Sequence, residues 1–356
     1  MGYRSLMKGW AIAGLATAAL QVATAAEPAS PPPPTVPELQ GLLARFDVPG
    51  VAVATLTRCE PDGPPILAGQ AALDPPRSVT PTTVFEAASL SKPVFAWLVM
   101  QLVDEKLIDL DRPFAQTFDY PRITDKAAYA QLTPRLVLTH RTGLPNWVDP
   151  RTEFHLRTAP IPFKHPPGTE YSYSGEAFQL LQAFVEKKTG RTLQALFQAR
   201  LGRWMPNSSF TLPLPPGSVA SRGYANASQP GNGRDMSNLT DHAMAAASLV
   251  TTAQDFARFL SLVCKREGLS AAAYDDMLKP QAPVPRQDSP QPSSRSLGWA
   301  ITDLGATTLV SHNGNNGEYR AFAGFVKENG DGIVILTNGF KGREMIDELL
   351  QPPKAP

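Results

Sequence analysis

Ser89 and Lys92 stand three apart in the run Ala88-Ser89-Leu90-Ser91-Lys92-Pro93. On a helix that spacing puts both side chains on one face, within reach of each other. A serine hydroxyl is a poor nucleophile until a base takes its proton. A lysine can be that base once partial burial and nearby positive potential destabilise its charged form. Pro93 helps to locate the helix start, because only the first four N–H groups of a helix lack an internal acceptor and proline has none to lose. The helix is predicted to begin at about Ser89 or Leu90. Ser89 then sits at the positive end of the dipole, where backbone N–H groups can stabilise a developing oxyanion. The same four-letter pattern arises on ordinary solvated helices, so the pair needs company before it means catalysis.

Two further clusters supply it. Pro167-Gly168-Thr169-Glu170-Tyr171-Ser172-Tyr173-Ser174-Gly175 reads as a loop just before a helix. A tyrosine held beside a lysine can have its phenol pKa lowered and act as general base or acid, and Tyr173 is the candidate. Tyr171 reads as a packed loop aromatic. His312-Asn313-Gly314-Asn315 directly follows the strand-like Thr308-Leu309-Val310. A strand with a cation-capable residue and a small glycine makes a sensible wall for an acyl substrate, and the Asn315 N–H could be a second oxyanion donor.

In this order and separation the three clusters resemble those of the class C β-lactamase and D-alanyl-D-alanine carboxypeptidase superfamily of serine hydrolases, which includes β-lactamase-like esterases and peptidases. The similarity spans roughly Gly50 to Gly339. Leu138-Thr139-His140-Arg141-Thr142-Gly143-Leu144-Pro145 resembles a helix end of that family, and Ala247 to Leu260 resembles the helix preceding its sheet. The resemblance implies that Ser89 is the nucleophile and Lys92 its proton acceptor and donor. Tyr173 matches the tyrosine of the Tyr-x-Asn element, which cycles the proton. His312 and Gly314 match the Lys-Thr-Gly strand element in a histidine form, and the N–H groups of Ser89 and Asn315 form the oxyanion hole. No cofactor or metal is implied.

Two departures matter. Gly175 stands where the family's Asn helps to hold the substrate acylamide. His312 stands where a permanently charged lysine would face a carboxylate, and an unperturbed histidine is mostly uncharged at neutral pH. Both changes weaken the grip on a peptide-like acid more than they harm acyl chemistry. The expected activity is hydrolysis of esters or peptide-like acyl substrates, weak on β-lactams. β-Lactamase or D-Ala-D-Ala carboxypeptidase activity is the alternative within enzymes, and an inert peptidoglycan-binding envelope protein the alternative outside them.

The elements that must hold these groups follow from periodicity. Val36 to Phe46 has helical spacing, and Gly50–Thr57 and Pro65–Ala72 read as strands. A helix from about Ser89 to Lys106 carries a wide apolar stripe, as buried helices do. Helices are predicted over Leu132–His140, Glu176–Lys188, Leu193–Leu201 and Ala253–Arg266. Strands are predicted over Leu297–Thr302, Thr307–Ser311, Tyr319–Lys327 and Gly332–Thr337, the last two joined by a hairpin at Glu328–Asp331, with a short helix Met345–Leu350 at the end. The expected class is α+β: an antiparallel sheet flanked by helices and built from both chain ends, with an inserted, mostly helical lobe. The sheet lobe takes residues 38–88 and 245–352, and the helical lobe 89–244.

Residues 1–26 have the layout of a secretory signal peptide. Arg4 and Lys8 precede the apolar Trp10–Leu20, and Ala23-Thr24-Ala25 offers a small-x-small processing pattern. Residues 27–37 form a proline-rich tether. A periplasmic or secreted location follows as an expectation, with no stable membrane insertion after processing. Loss of Arg4 and Lys8 leaves 31 basic against 32 acidic residues, a balance that builds no field for nucleic acid. The partner that the resemblance implies is a small-molecule ester, amide or peptidoglycan-like substrate. Export would permit a bridge between the two cysteines, Cys59 and Cys264, yet two thiols do not establish proximity, and free small side chains are the simpler reading. There is no Gly-x-Ser-x-Gly elbow, phosphate loop or His-Glu-x-x-His pair. Of the five histidines, all but His312 read as structural or solvated.

Overall fold

A computed structural model describes residues 32–148, 159–227, 229–236, 239–288 and 291–351. The expected signal segment and its processing site lie outside these.

Strand Gly50–Thr57 is buried on both faces through Ala54, which suits its run of Val and Ala. Its alternate residues serve two cores. Val51 and Val53 join Leu39 and Leu43 of helix Val36–Phe46 and Met345 and Ile346 of helix Gly342–Leu349. Ala52, Ala54 and Leu56 join the larger core, with Phe256 and Phe259 of helix Ala253–Cys264. The period of two thus places one helix pair on one face of the sheet and the rest of the chain on the other.

The sheet is antiparallel and unites both ends of the chain. Its order is Pro76–Ser78, Ile66–Leu73, Gly50–Thr57, Gly332–Thr337, Tyr319–Val326, Thr308–Asn316, Ala300–Asp303, Ser293–Arg295 and Ala282–Pro283, with Glu60–Pro61 pairing off Gly50–Thr57. Val51 pairs with Thr337 and Leu56 with Gly332. A second small sheet joins Val219–Ala220, Thr83–Glu86 and Val250–Thr251. The larger core runs without a break from sheet residues such as Leu336 through helix Ser91–Asp104 to the inserted helices Gly175–Thr189 and Leu193–Leu201.

Local signals explain several boundaries. Ser174 caps helix Gly175–Thr189 by accepting from the Ala177 N–H, and Gly190 at φ +66° ends it. The helix expected over Leu132–His140 is shorter, Pro134–Leu138, because His140 turns to φ +55°. The helix expected from Ser89 begins at Ser91, after a 3₁₀ turn over Ala88–Leu90. The strand expected to stop at Ser311 runs on to Asn316, paired with Tyr319 and Arg320 across a tight turn.

Cys59 and Cys264, expected as free side chains, form a disulfide. Cys59 lies in the turn after strand Gly50–Thr57, and Cys264 is the last residue of the helix packed across that strand. The proximity comes from tertiary packing, which sequence spacing does not display. Among the described residues, no helix is long and apolar enough to cross a membrane, and no group of three or more His, Cys, Asp or Glu could hold a metal ion.

Candidate active site

The turn that carries Ser89 is strained. Ala88 sits at φ +51°, a left-handed conformation that costs an L-residue about 1–2 kcal/mol. The buried Ser91 braces it. Its Oγ donates to the Ala88 carbonyl at 2.5 Å and accepts the Leu249 N–H at 3.0 Å, while the Ala87 N–H donates to the Leu249 carbonyl at 2.8 Å. Hydrogen bonds each worth about 0.5–1.5 kcal/mol are enough to offset that strain. Ser91 escaped notice in the sequence because its part is to hold its neighbours.

Lys92 and Ser89 meet as their spacing predicts. Lys92 Nζ lies 3.1 Å from Ser89 Oγ and donates to the Ala246 carbonyl at 2.8 Å. Its side chain is buried, and among the described residues no carboxylate pairs with it. Burial without a counter-charge, reinforced by Arg295, pushes its pKa well below the usual lysine range. Both effects act against the charged amine and toward the neutral form, which has a lone pair to offer.

Tyr173 completes a cluster of three. Its phenol faces the Ser89 hydroxyl closely enough to interact with it, and Lys92 Nζ stands 4.7 Å from the ring centroid. The sequence reading allowed a lowered phenol pKa. Burial acts the other way and pushes it up to about 12, against smaller opposing effects of Ser89 and Arg295. Tyr173 is therefore the protonated member of the cluster, and Lys92 the member with the lowered pKa.

One wall of the site is the second half of strand Thr308–Asn316. Of strand Thr308–Asn316, only Thr308–Ser311 is paired with Ala300–Asp303, so His312–Asn316 is bonded to Tyr319–Ala323 on one side and presents an edge on the other. Gly314 is needed there: a Cβ at this position would stand 2.5 Å from the Ala87 carbonyl and 3.3 Å from the Ala88 Cβ. The strand end is fixed by Asn316, whose Nδ2 donates to Glu86 at 2.5 Å and to the Ala247 carbonyl at 3.1 Å. Asn315 pairs with Arg320, and its side chain accepts the Gly317 N–H at 3.1 Å.

His312 is buried beside this group, its ring centroid 6.3 Å from that of Tyr173. Its Nδ1 is 2.7 Å from the Asn313 carbonyl, which can only accept, so Nδ1 carries the proton and Nε2 the lone pair. Burial, then Arg295 and Lys92, hold its pKa well below the ordinary histidine range. Position 312 thus provides a neutral acceptor and no fixed charge.

Gly175 is placed differently from the other candidates. It lies beneath Trp147: a Cβ would meet the indole at 2.6 Å, and its N–H donates to Asn146 Oδ1 at 2.9 Å. An aromatic ring occupies the space that a side chain at 175 would need. Glu176 beside it is bidentate to the partly buried Arg122, at 2.7 and 3.1 Å, and so anchors the helix start.

Arg295 is the functional candidate that sequence reasoning missed. Its guanidinium lies 5.7 Å from the Tyr173 ring centroid and 5.8 Å from that of Tyr171. It contributes to the lowered pKa values of Lys92, His140 and His312. The site therefore has a permanent cation, though not at position 312. Arg295 sits among serines after a proline-rich stretch, where no local pattern marks it. His140, read as structural or solvated, is also here, its ring stacked on Tyr173 with centroids 4.2 Å apart.

This site can be set beside known proteins. The chain is 25% identical over 328 residues to the unguisins hydrolase ungD' of Aspergillus campestris (strain IBT 28561), covering 83% of this chain and 59% of that protein. It is 31% identical over 147 residues to esterase EstB of Burkholderia gladioli, covering 35% of this chain and 37% of the esterase. The chain thus spans well under two thirds of either relative. Among solved structures, D-amino acid amidase from Ochrobactrum anthropi SV3 complexed with L-phenylalanine amide superposes with a TM-score of 0.69 at 23% identity, over 88% of this chain and 96% of that one. That likeness is one of fold: an antiparallel sheet flanked by helices. Matched over residues 38–351, the chain belongs to the Beta-lactamase family.

Proposed function

We propose that this chain is a serine hydrolase working through an acyl-enzyme on Ser89. The observation that carries the reading is the buried Lys92, without a carboxylate partner among the described residues, 3.1 Å from the Ser89 hydroxyl. Lys92 takes the hydroxyl proton as Ser89 Oγ attacks the substrate carbonyl, and the N–H groups of Ser89 and Asn315 receive the developing oxyanion. The proton returns through Lys92 and Tyr173 to the departing alcohol or amine. Water then adds to the ester on Ser89 by the reverse route and releases the acid. The hydrolase, esterase and amidase names of the relatives support this reaction class.

The preferred substrate in this reading is an ester or other acyl compound whose amide needs no holding. Gly175 under Trp147 offers no side chain to an acylamide, and neutral His312 grips no carboxylate. Losing such a hydrogen bond to a charged group costs about 1.5–3 kcal/mol, enough to demote β-lactams while leaving ester cleavage intact. Arg295 favours a second reading, in which a peptide-like acid is tolerated through its guanidinium. A serine-directed phosphonate should give one adduct by intact-protein mass spectrometry, absent in Ser89→Ala. Steady-state kinetics should then rank an activated short-chain ester above a chromogenic cephalosporin by kcat/KM. An adduct elsewhere refutes the site, and fast cephalosporin turnover without esterase activity refutes the substrate preference.

Export to the periplasm or beyond belongs to the same proposal. It is supported by the basic-then-apolar amino terminus and by the disulfide, which persists in oxidising compartments.

A further inference from the structure

His140 follows helix Pro134–Leu138 in the left-handed region, at φ +55°. Positive φ is uncommon outside glycine, and although histidine adopts it more readily than most residues, it still needs contacts to hold it there. Three contacts lead from this one residue to the segment around Tyr173. The His140 carbonyl accepts the Ser172 N–H at 2.8 Å. Its ring Nδ1 accepts the Ser174 N–H at 3.1 Å. The ring itself lies on the Tyr173 ring, with centroids 4.2 Å apart and planes 26° apart. The backbone donors on both sides of Tyr173, and the phenol ring between them, are thus held by a single side chain and its own carbonyl.

The proton inventory of this arrangement is fixed. A backbone N–H only donates, so Nδ1 must carry a lone pair and any ring proton must be on Nε2. An imidazolium would have no acceptor to offer Ser174. Burial, with the Arg295 charge adding repulsion, holds the ring's pKa well below the ordinary histidine range. Ser174 is tied a second time, its Oγ donating to the Pro145 carbonyl at 2.7 Å. The Tyr173 phenol faces Ser89 from a segment, Pro167 to Tyr173, that belongs to no strand or helix. Something outside the loop has to set its position, and the left-handed turn brings both the carbonyl and the ring of His140 to that task.

We propose that His140 is a positioning residue that fixes the Tyr173 phenol at Ser89, an inference that rests on the reading of Ser89, Lys92 and Tyr173 as the proton-transfer group. The opposing view is that His140 only fills the core. Two variants separate them, because glycine and asparagine both accept a positive φ. His140→Gly removes ring and acceptor together. His140→Asn restores an acceptor oxygen near the position of Nδ1.

Each protein is titrated to completion with the serine-directed phosphonate, so that only molecules with a competent Ser89 are counted. Acylation by an activated ester is then followed in a single turnover and expressed per titrated site. Displacement of a reacting group by about 1 Å costs about 10²-fold in rate, which is the loss expected in His140→Gly, in kcat with KM little changed. His140→Asn should recover the larger part of it. A core-filling role instead lowers the melting temperature and the titratable fraction while each remaining site acylates at the wild-type rate, and that result overturns the inference. So does an asparagine variant no faster than the glycine one. If the wild-type protein gives no adduct on Ser89, the reading of the site itself fails and takes this inference with it.

Discussion

Replacing Gly314 by alanine asks whether the His312–Asn316 edge must lie where it does against the Ser89 turn. The added methyl would stand 2.5 Å from the Ala87 carbonyl oxygen, 2.9 Å from the Ala321 Cβ and 3.3 Å from the Ala88 Cβ. Carbon approaches a carbonyl oxygen to about 3.3 Å, so strand and turn would have to part by about 0.8 Å along that line. Neither side yields readily. The Ala87 N–H is bonded to the Leu249 carbonyl, Ala88 is braced by Ser91, and Gly314 is paired with Ala321 inside the sheet. Overpacking of this kind costs about 1–3 kcal/mol. A shift approaching 1 Å between groups that must meet costs about 10²-fold in rate. The expected protein is folded, melts at a lower temperature, and acylates about 10²-fold more slowly. Burst kinetics with an activated ester and a thermal melt measure the two effects. Gly41→Ala is the control, since nothing lies within 4 Å of that position and alanine suits a helix interior better than glycine does. Wild-type acylation and melting in Gly314→Ala would refute the claim that this contact sets the geometry of the site.

Lys92→Arg keeps a charge that stays protonated at any working pH, so turnover should fall about 10²–10⁴-fold; near-wild-type turnover in a folded variant removes Lys92 from the mechanism. Acid should destabilise the fold as pH drops through 6.5, because His140 and His312 titrate below that value when folded and at it when unfolded, so the unfolded chain binds more protons. A melting temperature flat across that window would contradict their burial as neutral rings. Removing the disulfide with Cys59→Ala and Cys264→Ala together should cost about 2–5 kcal/mol in denaturant unfolding, and an unchanged midpoint would show that the bridge does not stabilise the fold. Amino-terminal sequencing of protein from the producing cell's envelope should begin near Ala26 or Glu27, and an intact Met1 in a membrane fraction would overturn processing.

Sequence reasoning reached what local spacing controls. Ser89 and Lys92 could be paired because three residues of near-helical chain bring them together whatever surrounds them. Strands Gly50–Thr57 and Gly332–Thr337 and helices Val36–Phe46 and Leu193–Leu201 have the bounds their patterns predict, since each is closed by turn or capping residues. It failed where a distant partner decides. Ser91, rather than Ser89, starts the helix because Leu249 and Ala88 stabilise a strained turn. His312–Asn316 is strand because Tyr319 to Ala323 come back beside it, although glycine and asparagine carry no strand signal. The phenol of Tyr173 is raised and not lowered because burial, which no three-residue spacing records, outweighs its neighbours. Arg295 and His140 belong to the same class: each acts through a ring contributed by another segment.

The pairing of Val51 with Thr337 also bears on how the protein is made. Gly50–Thr57 waits for a partner made far later along the chain, and until then one edge stays open, with Ile66–Leu73 and Glu60–Pro61 on the other. Contacts so remote in sequence slow folding, and an unpaired apolar edge invites association with other chains. A ribosome-bound or truncated chain ending before Gly332 lacks the neighbour that completes its sheet. Such a polypeptide should stay unfolded and depend on a holding chaperone.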